Sequence, residues 1–257
     1  MIDNIARLFL NFSHDNVIIP IIILGYIWLD REVFFHAACV LFLSMISDYC
    51  LKFTFKVPLS FDSGTENYAF PSGHMQSSFV FYGWLFLFAR NYIVKALIVI
   101  ILIGVGFGLI NCGYHNNRDI LGAIFFGTII LVFYKFYFQK DKNKLLLITV
   151  SSASILMLYF HIIHNVNHGI CLPYYALLGF VSGNYYIKNK EIQTNNINKI
   201  CATLFSISVL FIVNKLYSYI NLPLYLGHTK WFIICFFIVT SMHYAVLIRS
   251  KLTANVR

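Results

Sequence analysis

Charge is the scarcest property of this sequence. Only 10 of its 257 residues are acidic, and Asp, Glu, Lys and Arg together make up 11%, against about 25% in soluble globular domains. Apolar residues make up 59%. That balance excludes an ordinary soluble domain and points to a polytopic membrane protein. Cysteine is sparse and unpatterned: Cys39, Cys50, Cys112, Cys171, Cys201 and Cys235 show no Cys-x-x-Cys spacing and lie in or beside apolar runs. They read as small buried hydrophobes rather than disulfides or metal ligands. A cleavable signal is not expected, because Arg7 stands alone and Asp15 interrupts the first apolar stretch. Internal repeats and low-complexity tracts are absent as well. The net charge of +9 would suit nucleic acid, yet the basic residues sit at the ends of apolar runs rather than on one polar face. No nucleic-acid partner is expected.

Apolar runs are what the sequence has in abundance. About 20 apolar residues cross a bilayer as a helix. Nine candidate segments fall at roughly 17–30, 33–55, 75–90, 93–112, 120–138, 145–163, 170–187, 200–220 and 231–248. The expected fold is all-α, a transmembrane helix bundle of about nine segments. Residues 1–32 read as an interfacial stretch plus the first span, 33–138 as a core of four segments, and 139–257 as four further spans.

Lysine and arginine set the orientation. Counted along these segments, 13 of the 19 basic residues fall on one face, among them Arg31, Lys140, Lys142, Lys188, Lys199 and Arg249. The other face holds five: Arg7, Lys52, Lys56, Arg118 and Lys230. The loops 56–73 and 113–119 are therefore expected on the extracytoplasmic side.

Ionisable residues at membrane depth are expensive and mark function. Three clusters of them lie toward that outer side. Asp48 and Lys52 are four apart, so they share a helix face. Ser72, Gly73 and His74 open the third long segment behind Pro71, and a helix start offers free backbone N–H groups to an anion. His115 and Asp119 are again four apart, which lets the carboxylate hold the imidazole in one tautomer and free the other nitrogen. Lys56 and Arg118 lie close by in sequence. A nucleophile with its orienter, a second histidine as acid, and an anion cradle make a phosphoryl-transfer site. The stretch HIIHNVNHG places His161, His164 and His168 at a spacing that could bind a metal, but no carboxylate or cysteine accompanies them, so an interfacial loop is expected there.

These residues resemble the type 2 phosphatidic acid phosphatase family. Its pattern has a lysine separated by six residues from Arg-Pro, then Pro-Ser-Gly-His, then Ser-Arg, five residues, His, three residues, Asp. Lys52, Pro71-Ser72-Gly73-His74, His115 and Asp119 match. Leu59 and Ser60 stand at the Arg-Pro positions, and Gly108 and Leu109 at the Ser-Arg positions. The resemblance covers roughly residues 33–138. It implies hydrolysis of a lipid phosphate or diphosphate through a phosphohistidine on His115, held by Asp119. His74 would protonate the leaving alkoxide, and Lys52, Ser72 and Gly73 would bind the phosphate. Asp48, Lys56 and Arg118 are possible additions. No metal or cofactor is implied, the substrate is a membrane lipid, and the setting by analogy is a bacterial inner membrane. The leucines at both arginine positions leave two alternatives open: a transferase moving a phosphodiester head group between lipids, and a degenerate relative that only binds lipid.

Overall fold

The computed structural model describes residues 2–59, 68–163, 168–188, 190, 195–220 and 224–254. Eleven α-helices are described: α1 (Ile2–Leu10), α2 (Asp15–Leu24), α3 (Arg31–Phe55), α4 (Gly73–Phe88), α5 (Tyr92–Asn111), α6 (Asn117–Lys140), α7 (Lys142–Ile163), α8 (His168–Ile187), α9 (Asn196–Tyr219), α10 (Leu224–Gly227) and α11 (Thr229–Ala254). A π-helical stretch, Gly25–Leu29, extends α2. The protein is an all-α polytopic bundle, as its composition requires.

Each of the nine apolar segments is helical, but they do not all have the dimensions of a crossing. Six helices are long and apolar enough by length and composition: α3, α5, α6, α7, α9 and α11. A seventh is gained if the bent pair Ile2–Ser13 and Asp15–Leu29 counts as one span. α4 has 16 residues, short of the roughly 20 a bilayer needs.

Local sequence explains where the helices start. Asp30 caps α3 by accepting from the Glu32 and Val33 N–H groups at 3.0 Å each. Asn91 caps α5 through the Ile93 N–H at 2.8 Å. Asp141 accepts from Asn143 and Lys144 at the start of α7. Such caps satisfy N–H groups that the helix itself cannot.

α3 is the central element, buried by α4, α6, α7 and α8. Its neighbours contribute Trp84, Phe81, Tyr134, Phe160 and Phe180, all almost wholly buried. α8 approaches α11 through Gly179 and Gly183, where an added Cβ would meet the Phe232 and Phe236 carbonyls. This is the small-residue route to close packing when hydrocarbon surrounds the helices. α1 packs on α5 by the same device: a Cβ on Gly108 would stand 2.7 Å from the Ala6 carbonyl oxygen.

The two ends of the bundle differ. At one end Lys142 pairs with Glu32, Lys188 donates to Asn143 at 3.2 Å, Lys199 lies over the Trp28 ring, and Arg249 donates to Asn198 at 3.4 Å. The residues that the charge count assigns to the basic face thus meet in space. The other end carries the ionisable clusters.

Candidate active site

Three motifs far apart in sequence converge at that second end. The last turns of α3 supply Asp48 and Lys52, with Lys52 Nζ 3.7 Å from Asp48 Oδ2. α4 begins beside them. A Cβ on Gly73 would fall 2.5 Å from Asp48 Oδ2 and 3.5 Å from Lys52 Nζ. A side chain here would have to displace the Asp48 carboxylate, so glycine lets the start of α4 lie against the Asp48–Lys52 pair. Ser72, the N-cap of α4, is fully buried, and its hydroxyl makes no cap bond. Ser72 Oγ and Asp48 Oδ1 are buried polar atoms without a hydrogen-bond partner among the described residues. Buried polar groups are normally satisfied, and the Ser72 hydroxyl has a donor to offer at the start of α4.

The third motif is fastened to the second. The Ser72 N–H donates to the Asp119 carbonyl at 3.1 Å. Asn116 and Asp119 form a reciprocal capping box at the start of α6. Asp119 Oδ2 accepts the Asn116 N–H at 3.0 Å and lies 3.4 Å from His115 Nδ1. The carboxylate thus fixes the helix start and faces the imidazole, although the second contact is longer than an ordinary hydrogen bond. The His115 and Asp119 side chains are 8% and 3% exposed. Burial and the Lys52 ammonium push His115 below the ordinary imidazole value, and Asp119 pulls it partly back. His115 is consequently neutral near pH 7, with a lone pair available.

His74 is exposed, at the rim of the cluster. Desolvation by the surrounding protein, and then the neighbouring His14, Lys52 and His115, push its imidazole down to about 4, so His74 is neutral in the free site. His14 is the residue that motif reading does not reveal. Its ring centroid lies 5.4 Å from that of His74, because the N-terminal pair of helices bends by 48° with His14 at the break, as N-cap of α2. A signal was present: His14-Asp15 is an ionisable pair flanked by apolar sequence, the kind of interruption that marks function at membrane depth.

Other candidates stand apart. Lys56 is exposed, one turn beyond Lys52, and ends α3 in the left-handed conformation at φ 51°. The Arg118 side chain is exposed in the first turn of α6 and has no partner among the described residues. Leu109 is 2% exposed and packs with Leu10, Met75, Val105, Ile120 and Ala123. Leu59 is half-buried, and Ser60 lies outside the described residues. His161 is exposed near the end of α7. His164 and the His168 side chain lie outside the described residues.

The fold and the converging motifs define an integral membrane protein with a histidine-rich polar cluster at one end of its bundle. Residues 37–144 match the model of the PAP2 superfamily, so this segment is similar to a superfamily made up generally of phosphatase enzymes. That match supports phosphatase-type activity on phosphate esters. No curated protein and no solved structure matches the chain significantly.

Proposed function

We propose that the protein hydrolyses a phosphomonoester or diphosphate of a membrane lipid at the extracytoplasmic face, through a phosphohistidine on His115. The observation that carries this reading is the convergence of Lys52, the α4 start at Ser72–Gly73, His74 and the His115–Asp119 pair at one end of the bundle. The Lys52 ammonium, the Ser72 hydroxyl and the first free N–H groups of α4 supply positive potential and donors for phosphate oxygens. A neutral His115 nitrogen attacks phosphorus, and the bond from phosphorus to the lipid oxygen breaks. His74 is held at about 4 in the free site; the negative charge of the bound phosphate raises it, and the departing oxygen takes its proton. Asp119 stabilises the cationic imidazole that forms. Water then attacks the phosphohistidine and gives its proton to His74, which releases phosphate and restores both histidines. Asp48 holds Lys52, and His14 lies beside the acid.

One observation favours a second reading. The cluster gathers a single lysine, and Leu109 offers an apolar side chain in an apolar pocket. A phosphodiester carries less charge than a phosphomonoester and needs fewer cations, so head-group transfer between lipids fits this cluster too. The separating experiment incubates purified protein with a panel of lipid phosphates, with and without a lipid alcohol acceptor. Release of inorganic phosphate supports hydrolysis. Appearance of the head group on the acceptor without phosphate release supports transfer. Neither product from any lipid defeats the enzyme reading.

A further inference from the structure

His74 lacks the partner that His115 has. Asp119 stands 3.4 Å from His115 Nδ1, whereas no carboxylate among the described residues pairs with His74. A protonated imidazole carries two N–H donors. When His74 turns one of them toward a departing oxygen, the other needs an acceptor. His14 stands where that acceptor is needed: its ring centroid is 5.4 Å from that of His74, with the planes inclined at 58°.

The fold builds this meeting from two sides. α1 lies close on α5, where the glycine at 104 leaves room for the Phe9 ring, and Asp3 accepts from Asn111 Nδ2 at 3.0 Å. On the other side the Tyr82 hydroxyl of α4 donates to the Phe12 carbonyl at 2.9 Å. α4 therefore carries His74 in its first turn and also grips the chain two residues before His14. The His14 imidazole is not committed elsewhere. As N-cap of α2 its backbone carbonyl accepts from Val17 and Ile18 at 3.0 and 3.1 Å, while its side chain makes no cap bond. Asp15 follows it in the chain but forms no ion pair with either ring.

We propose that His14 is the positioning residue of His74: a ring nitrogen of His14 accepts the second N–H of protonated His74 and so aims the first at the leaving oxygen. The proton that reaches the leaving oxygen comes from His74, and the one shared with His14 stays on His74. The rings meet by contact rather than by a hydrogen bond, and catalytic hydrogen bonds are commonly long until substrate tightens them. The proposal rests on the phosphatase reading above. It gives the N-terminal helix pair, which precedes the matched residues 37–144, a part in the chemistry.

The test compares the full-length protein with its variants, in detergent, on two substrates. Dodecyl phosphate has a basic leaving oxygen that needs the proton, and nitrophenyl phosphate has one that scarcely does. His14→Phe keeps a ring beside His74 but removes both nitrogens. Its kcat/KM should fall about tenfold more on dodecyl phosphate than on nitrophenyl phosphate, a part of the ~10²–10⁴-fold that a positioned acid contributes. His14→Gln, which restores an acceptor, should recover most of that difference. His14→Ser caps α2 well but is too short to reach His74, and it serves if His14→Phe does not elute as folded protein. In a His74→Ala background, His14→Phe should change the dodecyl phosphate rate by no more than about twofold, because residues acting as one unit are not additive. A substrate ratio unchanged from the parent, no recovery in His14→Gln, or a full further loss in the His74→Ala background would each overturn the proposal. A parent protein that hydrolyses no phosphate ester would defeat the phosphatase reading and this proposal with it. Hydrolysis by the parent, with equal losses on both substrates in the folded variants, would defeat the proposal alone.

Discussion

His115 suits a nucleophilic role because its surroundings withhold the proton. Burial and Lys52 lower its affinity for a proton, and Asp119 restores part of it. The sign of the pH dependence follows. A histidine held below its ordinary value of about 6.5 stays neutral until the pH falls through that lowered value, so the acid limb of kcat/KM should lie below pH ~6.5. Asp119→Asn keeps an oxygen for the capping box but removes the charge that favours the imidazolium. The acid limb should then move further down, and the rate should fall about a hundredfold or more, the scale of positioned acid–base catalysis. A pH–rate profile of the variant checks both, and an acid limb moving upward contradicts the assignment. Lys52, His74, His115 and Asp119 stand out as candidates in the sequence because they fall at fixed short spacings within their motifs. His14 belongs to no such spacing: its place in the sequence 60 residues before His74 says nothing of their nearness, which the bend between two helices creates. Nor does spacing disclose that Asp119 also caps a helix.

Elements position these side chains by close approach, and Gly73 is where α4 meets α3. A Cβ there would meet the Asp48 carboxylate at 2.5 Å, forcing the Asp48–Lys52 pair away from the helix start. Gly73→Ala should therefore cost about a hundredfold in kcat/KM, as displacement of positioning groups by an ångström can. Vanadate affinity should weaken in parallel. Wild-type kinetics in the folded variant would show that this approach does not organise the site. Helix positions were legible from apolar run length, and the segment expected at 75–90 is the helix Gly73–Phe88. The packing of α1 on α5 was less so. The glycines at 104 and 108 are visible in sequence, but what they admit is set by which helix lies opposite.

At the scale of the whole molecule, the basic residues gather at one end and the catalytic candidates at the other. The first fact was legible from charge counts alone. The second needed the fold, because α3, α4 and the α5–α6 turn must bring their ends together. The proposed extracytoplasmic placement of the cluster predicts a labelling pattern in intact cells. With Cys112 and Cys201, the cysteines that are not buried, replaced by serine, Tyr114→Cys should react with a membrane-impermeant maleimide. Asn143→Cys should react only after permeabilisation. Both positions are exposed, so the reverse pattern would place the cluster in the cytoplasm.

The most direct test of the central claim is rapid-quench trapping with a phosphorus-labelled substrate. The parent protein should form an acid-labile phosphoenzyme, and His115→Ala should form none. His74→Ala should still form it from nitrophenyl phosphate, whose leaving group needs little protonation, while turning over slowly on a lipid phosphate. Phosphate trapped by His115→Ala and not by His74→Ala would contradict the account and exchange the two roles.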